Sequence, residues 1–119
     1  MLVADIHHVS LNVSDADRSL TFYRDVLGLA ELPRPDFSFP GAWLDVGNGR
    51  QLHLIQADVP TDLGQHVAFR VDDLDGVIAQ LRGRGVDVGD PRPVGDTVIR
   101  QTFAHDPDGN RIEFTQPAP

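Results

Sequence analysis

The stretch His7-His-Val-Ser-Leu-Asn-Val-Ser-Asp15 recurs in outline 58 residues later as Gln65-His-Val-Ala-Phe-Arg-Val-Asp-Asp73. A second echo follows, in which Gly49-Arg-Gln-Leu-His-Leu-Ile55 matches Gly109-Asn-Arg-Ile-Glu-Phe-Thr115 at an offset of 60. An internal repeat is the strongest constraint a sequence can place on its fold, because each copy must build the same supersecondary unit. With 119 residues in all, each half is too short to bury a good core alone. One domain, 1–119, made of two repeats is therefore expected, with modules at 1–58 and 64–116.

Each copy opens with alternating apolar and polar residues, the signature of a strand with one buried face. Helix-like periodicity follows: Leu20, Tyr23 and Leu27 in the first half, and Leu74, Val77, Ile78 and Leu81 in the second. Ser14 with Asp17, and Asp72 with Asp75, read as capping residues followed three later by an acid suited to the positive end of a helix. Strand-like runs come next, at 42–46 and 51–56 in the first half and at 97–103 and 111–116 in the second, with weaker ones at 29–32 and 86–88. Each half thus reads as strand, helix and three strands, and Gly/Pro-rich segments punctuate the order, with the joint at 58–64.

Side-chain alternation says where the polar residues point. Val9, Leu11 and Val13 share the face that covers the helix, which leaves His8, Ser10 and Asn12 on the other; the same parity sets His66, His53 and Glu113 away from their helices and His7 toward its own. Superposing the repeats matches His8 with His66 and His53 with Glu113. Three of the chain's five histidines and one glutamate thus fall on two equivalent positions. Imidazole and carboxylate are ligands that Zn, Ni, Co, Mn and Fe accept, so these four residues are the candidate site for one divalent ion.

Composition narrows the partners. A net charge of -8 disfavours phosphate backbones and anionic membrane surfaces, and no apolar run approaches the length of a spanning helix. The chain has no cysteine, hence no thiolate site or disulfide scaffold, and the start of the sequence carries no export signal. A cytoplasmic protein is expected, acting on a small molecule, with no nucleic acid and no membrane.

Taken in order, His7–Leu29, His66–Asp75 and Phe103–Phe114 make this chain resemble the vicinal oxygen chelate superfamily, which includes glyoxalase I, methylmalonyl-CoA epimerase, extradiol dioxygenases and the fosfomycin and bleomycin resistance proteins. The resemblance spans essentially the whole sequence. It implies an α+β fold of two βαβββ modules forming curved mixed sheets around an open metal-containing cleft. It also implies ligands at His8, His53, His66 and Glu113, and a homodimer whose site is shared between chains in some members. The four-ligand set is most similar to that of glyoxalase I and the epimerases: a lyase, isomerase or epimerase acting on an alpha-hydroxy carbonyl or dicarbonyl through a metal-stabilised enediolate. An extradiol-type ring-cleaving dioxygenase, using His8, His66 and Glu113, is an alternative. So is a non-catalytic antibiotic-binding resistance protein, although members of that kind lack the metal set.

By the same resemblance Glu113 is both ligand and proton shuttle. Arg100 and Gln101 precede the last motif, and one of them is expected to face the substrate, where an arginine holds a carboxylate with two N–H groups. His105 is a candidate second acid or base, or a loop residue beside the 106–109 turn. Phe39 and Trp43, with Phe37, are candidates for an apolar wall against the substrate.

Overall fold

The alternating stretches fold as strands and the periodic ones as helices, in a computed structural model that describes residues 1–119. The order is β1 (His8–Val13), α1 (Ala16–Thr21), a π-helical turn (Phe22–Val26), β2 (Ala30–Leu32), β3 (Gly41–Gly47), β4 (Arg50–Gln56), β5 (His66–Arg70), α2 (Leu74–Gly83), β6 (Arg92–Pro93), β7 (Arg100–His105) and β8 (Arg111–Gln116). The architecture is α+β. The chain divides into two compact units, Met1–Thr61 and Asp62–Pro119.

In the first unit the sheet order is β1-β4-β3-β2. β1 lies parallel to β4, with Ser10 opposite His53, while β3 and β4 form an antiparallel hairpin in which Trp43 is the neighbour of His53. The hairpin turns at Asn48 and Gly49, whose φ values of 55° and 77° are the left-handed pair that a two-residue turn with the right twist requires. Val13, Ala42, Leu44, Leu52 and Leu54 are buried on the side covered by Ala16 and Tyr23. Each of these valine and leucine side chains contributes roughly 1.5–3 kcal/mol by leaving water.

The second unit repeats the plan, with order β5-β8-β7-β6 and β5 parallel to β8. Its core is Leu74, Ile78, Leu81, Val88, Ala104, Ile112 and Phe114. Gln56 and Gln116, the last residues of β4 and β8, play equivalent parts: each side-chain carbonyl accepts from a backbone N–H at the start of its unit's helix, Ala16 at 3.1 Å and Leu74 at 2.8 Å.

Several local expectations need correction. The helix caps lie one residue later than the capping pattern suggested. Asp15 accepts from the N–H groups of Asp17 and Arg18, and Asp73 from that of Gly76. Ser14 instead accepts from Arg18 Nη2, and Asp72 pairs with Arg70. The first helix does not stay α-helical: its last turn widens, with the Leu27 N–H reaching the carbonyl of Phe22 at 3.0 Å. Residues 86–88 form no strand. The outer strand of that sheet is Arg92–Pro93, cut short because Pro91 and Pro93 have no N–H to donate. β7 starts at Arg100 rather than 97, since Thr97 is held in a turn by its hydrogen bonds to the Val94 carbonyl.

Candidate metal centre

In the first unit, β4 and β3 bring His53 and Trp43 side by side on the face turned away from α1, and β1 adds His8. The three rings stack: Trp43 lies 4.3 Å from His53 at an interplanar angle of 5°, and His8 lies 4.0 Å from it on the other side at 15°. This sandwich leaves His53 only 8% exposed. Burial, followed by the nearby His8, His7 and Arg34, holds its pKa below the usual histidine value. A depressed pKa keeps the imidazole neutral, which is the form that binds a metal. His53 Nε2 meets Gln51 Oε1 at 2.8 Å, an arrangement that leaves Nδ1 as its free lone pair. His7 is not turned into the core as its parity suggested. It is exposed, and its Nδ1 meets His8 Nδ1 at 2.8 Å, one ring donating to the other.

In the second unit, β5 supplies His66 and β8 supplies Glu113. His66 Nδ1 lies 2.8 Å from the carbonyl of Gly64. A carbonyl only accepts, so Nδ1 must carry the hydrogen. The other ring nitrogen, Nε2, faces Glu113 Oε1 at 3.0 Å. In the neutral imidazole this sets a lone pair against a carboxylate lone pair, so the contact requires a cation between or upon the two groups, either a proton or a metal ion. The distance is that of an ordinary hydrogen bond, and ligands with bonds of about 2.0–2.2 Å to one ion stand about 3.0–3.5 Å apart, so either cation fits it. Fixing the far nitrogen by a backbone carbonyl is also how metal-bound histidines are commonly oriented.

The donor chemistry of all four residues therefore fits a divalent ion. The four stand as two pairs, His8 with His53 and His66 with Glu113, one in each unit. Neither unit by itself gathers three His, Asp or Glu side chains into a group that could hold a metal ion.

The remaining site candidates divide. Gln101 lies opposite Thr115, and Phe103 opposite Glu113, so Gln101 shares the Glu113 face. Arg100 does not. It has the opposite parity and reaches Asp75 in α2 through two hydrogen bonds of 2.9 and 3.2 Å, so of the two candidates it is Gln101 that shares the Glu113 face. His105 lies opposite Arg111, and its Nε2 is 3.2 Å from Asp62 Oδ2. Asp62 also accepts from Arg111 Nε at 3.1 Å, and its carboxyl is held below the usual range by the Gly64 N–H first, then by His105 and Arg111. Phe39 and Phe37 stack on each other, and Phe37 touches Trp43 at 6.2 Å. Sequence reasoning missed Gln51, which the same alternation that singled out His53 places on its face. It also missed Asp62, for which a loop position gives no signal.

Paired βαβββ modules with imidazole and carboxylate donors on their first and last strands define a class of metal-site scaffold. A family model described as the Glyoxalase/Bleomycin resistance protein/Dioxygenase superfamily matches residues 5–114, and the chain belongs to that superfamily. It is 33% identical to a lactoylglutathione lyase of Haemophilus influenzae over 93% of this chain and 91% of that one. A putative glyoxalase family protein of Bacillus anthracis has the same fold, with a TM-score of 0.87 at 23% identity over 98% of both chains. TnmS3, an antibiotic binding protein from Streptomyces sp. CB03234, is also similar, with a TM-score of 0.77 at 28% identity over 99% of both chains.

Proposed function

We propose that the chain is a metal-dependent lyase, isomerase or epimerase acting on a small alpha-hydroxy carbonyl or dicarbonyl compound, with His8, His53, His66 and Glu113 as ligands to one divalent ion per site. The observation that carries this reading is the 3.0 Å approach of His66 Nε2 to Glu113 Oε1 with the hydrogen of His66 committed to Gly64, a geometry made for a cation. When bound, a divalent ion supplies Lewis acidity that stabilises the oxyanion formed as a proton leaves the carbon beside a carbonyl.

The protein's own groups do the rest. Glu113, on β8, would take and return that proton, with His66 orienting it. The sandwich of Trp43 and His8 keeps His53 from swinging and keeps it neutral. Gln101 and Phe103, on the Glu113 face, would meet the substrate. We infer a homodimer, in which half-sites on two copies can complete one another.

Metal analysis by mass spectrometry on untagged protein tests the reading. About one ion per site in the wild type, lost in His66→Ala, is the expected result; two empty proteins after divalent ions are offered would overturn it. Chelators are expected to abolish turnover, and Glu113→Gln to remove activity while leaving the fold. An iron-rich protein that takes up oxygen with catechols would instead be a ring-cleaving dioxygenase. The likeness to TnmS3 favours a second reading, stoichiometric capture of an antibiotic. Saturable binding without turnover, unaffected by chelators, would establish it.

A further inference from the structure

With Arg100 committed to Asp75, the structure offers a different cation beside the first unit's histidines. Arg34 lies in the loop between β2 and β3. Its guanidinium carbon stands 4.7 Å from the ring centre of Phe37 and 5.1 Å from that of Phe39, and these two rings are themselves stacked at 5.3 Å and 10°. Arg34 Nη2 donates to the Phe39 carbonyl at 3.0 Å. Gly41, the first residue of β3, lets the group settle there: a Cβ at that position would lie 2.9 Å from Arg34 Nη2 and against the carbonyl of Leu54. The guanidinium is thus half-buried and held on several sides, with most of its N–H groups uncommitted. Arg24, Arg50, Arg70, Arg82, Arg100 and Arg111 each pair with an acid, whereas no carboxylate of the chain pairs with Arg34.

Around it opens a groove of about 370 Å³, bounded also by Asp17, Asp36, Phe37 and Phe39. That is the size range of small-molecule sites. The groove's charges select the ligand. One guanidinium matches one carboxylate, while Asp17 and Asp36 repel any anion in proportion to its charge, which weighs against a phosphate dianion more than against a monoanion. The apolar wall has a direction, since Phe37 touches Trp43 at 6.2 Å and Trp43 lies on His53 at 4.3 Å. The aromatic wall beside Arg34 is thus continuous, through Trp43, with His53.

We propose that this groove binds the carboxylate end of a monoanionic substrate with an apolar body, Arg34 gripping the carboxylate and Phe37 and Trp43 lining the path to His53. The inference rests on the reading of the His8 and His53 face as a reacting site, but the binding step does not require the metal. Trp43 is the chain's one tryptophan and so a specific fluorescent reporter of that path.

The test titrates chelator-treated full-length protein with cyclohexanecarboxylate, following Trp43 emission, with cyclohexylmethanol and inorganic phosphate as comparisons. Saturable change with the carboxylate, and binding at least about tenfold weaker for the alcohol, for phosphate and for Arg34→Gln, is the expected result. Arg34→Lys, which keeps the charge but loses the flat fork, should fall between. Equal binding of the alcohol, competition by phosphate, unchanged affinity in both variants, or no saturation would each overturn the proposal. Carboxylate binding in a protein that never takes up metal would leave the groove standing and remove the metalloenzyme reading.

Discussion

Replacing Asp106 with alanine should unsettle the strand that carries Glu113. Asp106 is 5% exposed and caps its own turn. Oδ1 accepts from the N–H groups of Asp108 and Asn110, and Oδ2 accepts from Asn110 Nδ2, all at 2.9 Å. Hydrogen bonds to a charged group are worth about 1.5–3 kcal/mol each, but the freed donors are only part-buried and water would recover some of the loss. A net cost of about 3 kcal/mol follows for Asp106→Ala, a fall of about 12 °C in melting temperature for a domain of this size. Asparagine is the sharper comparison. Its carbonyl keeps both backbone donors and the Asn110 amide can rotate to face its NH2, so Asp106→Asn should cost only about 1 kcal/mol. Urea unfolding followed by circular dichroism gives both numbers. If alanine costs under about 1 kcal/mol, or asparagine as much as alanine, the turn does not hold β8 in the way described.

Trp43→Ala uncovers His53 and should raise its pKa toward the ordinary value, since burial is the largest cause of the depression; the ring's proton shifts against pH, followed by nuclear magnetic resonance, would show it. Because His53 is lowered in the folded state, the wild type loses stability as pH falls below about 6.5 toward the folded value, and the variant should lose less over that window. Arg100→Ala should leave activity within about twofold and cost under about 1 kcal/mol, as expected for an exposed ion pair; a larger loss of activity would return Arg100 to the substrate. Asp75, lowered chiefly by its hydrogen bond to Arg100, stabilises above the ordinary aspartate pKa and loses that contribution as pH falls through its folded value, so acid titration of Asp75→Asn should show a shallower decline.

The sheet strands were legible because their alternation is dictated by burial: Leu52 and Leu54 had to face the helix, and so His53 could not. The same rule placed Glu113 and His66. Helix starts were less legible, since Ser14 and Asp15, or Asp72 and Asp73, are all good caps and the backbone direction chooses between neighbours. Residues 86–88 have strand composition but their backbone is taken up by α2: the Val86 N–H reaches the Leu81 carbonyl and the Val88 carbonyl accepts from Arg82 Nη2. Between Arg100 and Gln101 the sequence left the facing open, because the start of β7 decides which face each residue takes. Arg34 gave no signal in a proline-rich loop, where only folded proximity to Phe37, Phe39 and Gly41 makes it distinctive.

Parallel pairing of the first and last strands gives each donor pair a long span: His66 and Glu113 meet across 47 residues. Neither can find the other until α2 and the β7–β8 hairpin are in place, so an ion offered to a half-made module meets isolated side chains of weak affinity. On the proposed reading, loading at this pair would follow folding of the whole module, and an ion held there would tie the first strand to the last, so that fraying at either end would also have to break a ligand bond.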